Sequence, residues 1–279
     1  MNRLVPVREV SQLRLVPPRN DCWVDDLGWI PVSATEIHLA CRYYPIAVRF
    51  DGPTPQLGLI VGGRYLVHKL VDSAGAWSGA YRPIGLRCFP FSAPQLGGDP
   101  LRDILVDADS PCLSASSGIP LVDGSGRAGP FLNELHRFFR LLKQGEDAFS
   151  PLLDLFQIGG LLAPLATVND DAVENPQLMV LDPARLLQMK PAALAAMARH
   201  GILSVDIAVA SHFSLLNLRP EYRPKQTTGT RRDLIGSASI APAMVAIDDL
   251  ALALDDGELV SLWNIQALGT EAPHRILIE

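Results

Sequence analysis

Short apolar runs separated by turn residues dominate the first half of the chain. Pro45–Phe50 stops at Asp51-Gly52-Pro53, Gln56–Val61 at Gly62-Gly63, and Arg64–Val71 at Asp72-Ser73-Ala74-Gly75. Ile104–Asp107 and Ile119–Val122 are further runs of the same kind. Runs this short, punctuated by Gly, Pro and Asp, predict strands, because those residues supply the backbone angles of turns. Their close spacing over residues 41–123 predicts an antiparallel sheet or a partly closed barrel.

The period changes after Pro130. Leu132, Leu135, Phe138, Phe139 and Leu142 fall on one helical face, while Glu134, Arg137, Arg140 and Lys143 lie largely elsewhere. That is an amphipathic helix with proline in its first turn, where the missing N–H costs nothing. A second helix is predicted over Ser150–Ile158, with Ser150 as N-cap and Pro151 at its first position. Gln177–Leu181 then reads as a strand. Asp182-Pro183 opens a helical stretch through Leu186, Leu187, Met189, Leu194 and Met197, kinked at Pro191 and ending at His200-Gly201. Ile202–Ala210 reads as another strand.

The expected fold class is therefore α+β, with an N-terminal antiparallel β-rich sheet or partly closed barrel followed by helices and a strand–helix unit. Residues 1–222 form the body, β-rich over 41–123 and helical or mixed over 130–222. The Gly/Thr/Ser-rich residues 223–239 read as a linker, and residues up to 279 as a C-terminal strand–helix appendage. Met244–Leu250 echoes Met179–Pro183, which a degenerate duplication or chance explains equally well. The Pro-rich residues 1–40 carry no clear period. Trp23 and Trp29 within them are expected to pack this arm onto the body.

Composition removes several function classes. The chain has 279 residues, 48% of them hydrophobic, enough to bury a large core. Lys and Arg number 24 against 30 Asp and Glu, a formal net charge of -6. No global basic field exists to attract nucleic acid or an anionic membrane. The N-terminus lacks the apolar run of a secretion signal, and no window matches a membrane-spanning helix. The cytoplasm is the expected location, with signal-independent export left open. Cys22, Cys41, Cys88 and Cys112 are far apart with no CxxC spacing, so reduced thiols are expected rather than disulfides or metal ligands. The six histidines share no metal-binding spacing, and no metal or cofactor is expected.

Three stretches have candidate chemistry. Gly124-Ser125-Gly126-Arg127-Ala128-Gly129 fits G-x-G-x-x-G before a helix, as in dinucleotide sites. Pro130 removes a donor at the helix start, and no strand ending in an acid follows. With Asp123-Gly124 as a tight-turn dipeptide, the motif is expected to be a turn. Asp107 and Asp109 would share a side of a strand and serve a metal or acid–base chemistry, or else cap a turn, which is the favoured reading. Trp77–Phe91 combines aromatics, prolines and arginines. Trp77, Tyr81, Arg82 and Arg87 would suit a platform for a carboxylate or peptide, since Arg stacks on aromatic faces. The alternation of Phe89 and Phe91 favours a strand crossing the core, with Arg87 held in a structural ion pair.

Several of these segments resemble the SapC family of bacterial proteins. The resemblance runs from Met1-Asn2-Arg3-Leu4-Val5-Pro6-Val7 through Tyr44-Pro45-Ile46-Ala47 to Gly75-Ala76-Trp77-Ser78-Gly79-Ala80-Tyr81-Arg82-Pro83. Leu86-Arg87, Phe89-Pro90-Phe91, Val106–Ser110, Ile119–Gly124, Gly160–Pro164 and Leu181-Asp182 continue it, over about residues 1–220. Tyr65–Lys69 and Leu121–Asp123 depart from the family pattern. The resemblance implies no established activity and no catalytic residues, and it links the chain by name to surface layers.

The expected function is an accessory or binding protein acting with a protein or peptide partner, with homo-oligomerisation left open. One alternative is an enzyme whose Asp107, Asp109, Arg87 and His68 converge in a pocket. Another is a surface-layer or export component. An open groove beside Trp77–Phe91 would favour binding, and a closed polar pocket an enzyme.

Overall fold

The computed structural model describes residues 3–50, 54–78, 81–165, 178–199 and 202–224. The fold is mixed α+β, with antiparallel sheets first and helices after, and no sheet among the described residues closes into a barrel. The main sheet has five strands. These are β3 (Trp29–Pro31), β4 (Ile46–Arg49), β5 (Gln56–Ile60), β10 (Leu162–Pro164) and β11 (Leu178–Leu181), in the order β10-β11-β4-β5-β3. A second sheet orders β1 (Leu4–Pro6), β7 (Leu105–Asp107) and β6 (Phe91–Ser92) as β1-β7-β6. A third orders β8 (Leu113–Ser114), β2 (Arg14–Leu15) and β9 (Ile119–Pro120) as β8-β2-β9. The N-terminal arm thus supplies a strand to every sheet. Strands of two or three residues are too short to show a period, which is why residues 1–40 had no readable pattern.

The helices are α1 (Trp23–Leu27), α2 (Ile37–Ala40), α3 (Ile84–Arg87), α4 (Pro100–Asp103), α5 (Pro130–Ile158), α6 (Pro183–Leu187), α7 (Pro191–Arg199) and α8 (Ile202–Ser214). The sheet strands β4 and β5 are buried almost residue for residue. Helix α5 packs on β5, and α8 on β4 and β11, so these strands read as continuous apolar runs rather than alternating ones.

Two hydrophobic cores result. The larger gathers Ile46, Val48, Leu59, Val180, Ile207 and Leu218 around the main sheet. The smaller gathers Val7, Leu15, Ile104, Val106 and Leu121. Helix α5 serves both. Leu132, Leu135, Phe139 and Leu142 enter the smaller core, and Phe149, Leu152, Leu153 and Phe156 the larger. Between the two sets, Gly145 lets the helix touch bare backbone. A Cβ there would lie 2.9 Å from the Val32 carbonyl oxygen and 3.0 Å from the Ala34 nitrogen.

Four sequence expectations are corrected. Ile202–Ala210 is not a strand but the first nine residues of α8. It is apolar on both its buried and its exposed sides, so no periodicity separates the two readings. Ser150 caps no helix, because α5 runs unbroken through Pro151. The buried side chains on either side of that proline hold the helix together where one backbone bond is lost. Arg64–Val71 is a chain of turns carrying only isolated bridges, Leu66 to Leu218 and Val71 to Trp77. Trp77–Phe91 is not a strand across the core. It turns through α3, passes a cis Phe89–Pro90 bond and only then enters β6.

The other predicted strands lie where expected, in β4, β5, β7, β9 and β11. The helical stretch after Asp182 is divided at Pro191 into α6 and α7, with the Asp182 carboxylate accepting from the Ala184 N–H at 2.9 Å. The Asp51–Pro53 turn, the His200-Gly201 cap, the possible duplication and nearly all of the linker and appendage lie outside the described residues.

Candidate functional site

The residues of the Trp77–Phe91 stretch converge on a buried carboxylate that the sequence reading passed over. Glu36 is 4% exposed. Its Oε1 accepts the Ser33 N–H at 3.0 Å, and its Oε2 accepts both the Tyr81 hydroxyl at 2.7 Å and the Ile84 N–H at 2.9 Å. The signal was present, since Ser33-Ala34-Thr35-Glu36 has the spacing of a capping box immediately before α2. The Tyr44 hydroxyl donates to the Tyr81 carbonyl. Burial, and then the Glu36 hydrogen bond, push the Tyr81 hydroxyl well above its usual range, and burial does the same to Tyr44. Both phenols stay protonated donors near neutral pH, so neither serves as a general base there.

Arg82, not Arg87, makes the ion pair. Its guanidinium meets Asp21 and lies 5.1 Å from the Trp77 ring centre and 5.9 Å from that of Trp23. Trp23 in turn stacks on Phe89 with ring centres 3.9 Å apart. Arg87 is exposed and has no ion pair within 4.0 Å among the described residues. Its Nε donates to the Arg82 carbonyl at 2.8 Å, and its guanidinium sits 5.7 Å from the Tyr81 ring centre. One helical turn at α3 swings it outward where a strand would have carried it inward. The stretch therefore fastens α1, α2 and α3 together.

The other sequence candidates do not join it. Asp107 Oδ1 accepts the Asp109 N–H at 3.2 Å, so this pair closes the turn after β7. His68 is exposed in the turn segment beside Leu66. Among the described residues no three His, Cys, Asp or Glu side chains gather as metal ligands. The glycine motif is a turn. Val122 bridges to Ala128, Gly126 has φ +80°, and the Asp123 carboxylate accepts from the Ser125 and Arg127 N–H groups. Those bonds, led by the Ser125 hydroxyl, hold the Asp123 carboxyl below its usual range. All four cysteines are free thiols, and only Cys22 is exposed.

What the fold does open is a recess of about 350 Å³ beside the loop that leads into Trp77. Cys22, Asp25, Arg64, Lys69, Asp72 and Arg219 are among its lining residues, and Arg87, Asp107, Asp109 and His68 are not. Both carboxylates are partly engaged. Asp25 Oδ1 accepts the Gly63 N–H at 2.9 Å, and Asp72 Oδ1 accepts those of Ala74 and Ala76. Arg219 is aimed by its Nε bond to the Leu66 carbonyl at 2.8 Å. The Lys69 carbonyl accepts the Ser78 hydroxyl at 2.9 Å, and the Lys69 ammonium meets no hydrogen-bond or ion-pair partner among the described residues. The wall therefore mixes three cations with two carboxylates.

An apolar face adjoins the recess. Val209, Phe213 and Leu216 run along α8 and the turn after it, 58%, 44% and 61% exposed. Leu39, Tyr43 and Val67 are exposed as well. They belong together, because α2 packs on α8, the Asn217 side chain donates to the Cys41 carbonyl at 2.9 Å, and the Val67 N–H donates to the Asn217 carbonyl at 2.9 Å. The Arg219 N–H then pairs with the Tyr65 carbonyl, which carries the chain to the recess wall. Reading α8 as a strand hid this face from the sequence.

A family model described as SapC matches residues 9–220, which takes in the recess and the apolar face. The match begins after the opening Met1–Val7 segment and ends at the last short 3-10 turn, Pro220–Tyr222. No curated protein and no solved structure matches the chain.

Proposed function

The chain belongs to the SapC family, and we propose that it is a non-catalytic accessory protein that binds a protein or peptide partner across the α2–α8 face and the adjoining recess. The observation that carries this reading is the run of exposed apolar side chains, from Val209 to Leu216 and Val67, beside a recess lined by Arg64, Lys69 and Arg219 and by Asp25 and Asp72. Exposed apolar side chains scattered singly need no explanation, whereas a contiguous set beside an open recess is what recognition surfaces offer. The polar groups that would have to do chemistry are engaged elsewhere. Tyr81 and Tyr44 are locked as donors, Asp107 caps its turn, and Arg87, Asp107, Asp109 and His68 do not line the recess.

The test is affinity capture of the full chain under native conditions, with mass spectrometry of what copurifies. Phe213→Ser and Leu216→Ser should each lose a partner that the unaltered chain retains. Leu187→Ser, on α6 and 82% exposed, should keep it. A partner retained equally by all variants would refute the proposed surface.

A further inference from the structure

The recess beside the Trp77 loop is lined by both signs of charge, and we infer that it binds a small zwitterion, an α-amino acid or a short free peptide. The ligand carboxylate is held at Lys69 and Arg219, and its ammonium at Asp25 and Asp72. The inference goes beyond the partner-binding reading, because it needs the recess alone and none of the exposed apolar side chains of α8. The recess encloses about 350 Å³, at the small end of ligand pockets. Among the described residues of its wall Val71 is the one aliphatic side chain, so an apolar molecule gains little there. The wall is also set before any ligand arrives. Residues 22–25, 63–73 and Arg219 are tied together as Asp25 Oδ1 accepts the Gly63 N–H at 2.9 Å and the Arg219 N–H donates to the Tyr65 carbonyl at 2.9 Å. The Asp21 N–H donates to the Gly75 carbonyl at 2.8 Å and closes the same corner. A preformed wall spares the ligand the cost of ordering it.

The mixture of charges selects the ligand class. Arg64 already donates to the Tyr65 hydroxyl at 2.7 Å, and Arg219 uses its Nε on the Leu66 carbonyl. The Lys69 ammonium meets no partner among the described residues. Asp25 and Asp72 each use Oδ1 on backbone N–H groups, and neither Oδ2 meets a hydrogen-bond partner among the described residues. The recess therefore keeps donors and acceptors side by side. A plain anion such as phosphate meets three cations but also two carboxylates, and a plain amine meets the reverse. A molecule with an ammonium and a carboxylate answers both sets. The exposed Cys22 thiol stands on the same wall and gives the site its own reporter.

The probe is the rate of Cys22 alkylation by iodoacetamide in the full chain, with three matched sets of small molecules present. The first set is L-amino acids of uncharged side chain and their dipeptides. The second is their N-acetyl derivatives, which keep only the carboxylate, and the third their amides, which keep only the amine. At least one zwitterion should slow Cys22 labelling while its N-acetyl and amide forms do not. Protection by amino acids assigns a free metabolite, and protection by dipeptides alone assigns a peptide. Lys69→Gln should weaken the protecting zwitterion about tenfold or more, since a charge-assisted bond is lost. Asp25→Asn with Asp72→Asn keeps both Oδ1 acceptors, so the turns hold, and should pass the preference to the N-acetyl form. The melting temperature of each variant checks that the fold is kept. Equal protection by the N-acetyl or amide forms, protection undiminished by Lys69→Gln, or no protection by any member would overturn the inference. Phe213→Ser should leave the protection intact. If capture of a native partner depends on Phe213 while every zwitterion fails, the partner surface stands and the recess ligand is lost. If the zwitterion protects while capture ignores Phe213, the recess ligand stands and the partner surface is lost.

Discussion

Replacing Tyr81 by Phe removes one oxygen atom and leaves the ring. In the native fold that oxygen donates to Glu36 Oε2 at 2.7 Å, and the carboxylate lies in a residue only 4% exposed. A hydrogen bond to a charged group contributes about 1.5–3 kcal/mol, roughly twice a neutral one. Tyr81→Phe should therefore destabilise by about that amount, with Glu36 left to the Ser33 and Ile84 N–H groups. For a body of some two hundred residues this is a fall in Tm of roughly 3–12 °C. Arg87→Ala is the comparison. Arg87 is exposed, its partner is a backbone carbonyl, and its contact with the Tyr81 ring is of the exposed kind, worth about 0.5–1 kcal/mol. Calorimetry or urea denaturation of the two variants side by side checks the ordering. If Arg87→Ala costs more than Tyr81→Phe, or Tyr81→Phe melts with the unaltered protein, Glu36 is not what fastens this stretch.

Three further outcomes follow from other parts of the structure. Iodoacetamide at neutral pH should label Cys22 alone in the native protein, because burial pushes the Cys41 thiol up to about 11 and the Cys88 thiol up to about 12, and Cys112 is buried; rapid native labelling of Cys41 or Cys88 would contradict this. Asp103, buried against His136 Nε2 at 3.0 Å, is pushed up by its burial, but the His136 ring and the Gly97 and Gly98 N–H groups outweigh that and hold it below the usual carboxyl range. Its stabilising contribution is complete above the unfolded carboxyl pKa of about 3.9 and is lost as pH falls through the lower folded value. Asp103→Asn should flatten the acid limb of a urea-midpoint profile, and an unchanged limb would refute the assignment. Gly145→Ala raises helix propensity by up to about 1 kcal/mol yet sets a methyl against the backbone of residues 32–34, so a net loss of about 1–3 kcal/mol is expected in denaturation; a gain would show that this contact yields.

Much of the architecture was readable where a run was bounded by turn residues. The strands β4, β5 and β7 are such runs, and the first half of α5 shows its face through Leu132, Leu135, Phe139 and Leu142. Helix α8 was not readable, because Ile207 and Ala208 point into the core while Val209 and Phe213 point out, so both sides are apolar. The Phe89–Phe91 spacing imitated a strand although a turn at Pro90 produces it. Of the candidate residues, Trp77, Tyr81 and Arg82 lie together around Glu36 and Asp21, on a turn and a short helix and not on the expected strand. Arg219 and Lys69 had no local pattern to reveal them, since the recess they line is assembled from segments about 150 residues apart.

Helix α5 works as a keyed shaft. At 100° per residue, the face it shows the smaller core and the face it shows the larger one are set about 70° apart around its axis. Adding a residue near Gly145 would turn the far half by about 100°, and deleting one would turn it equally far the other way. Either change aims Phe149, Leu153 and Phe156 away from their sockets while every side chain stays the same. The fold thus stores angular information in the length of one helix, and its two cores are matched to each other by phase.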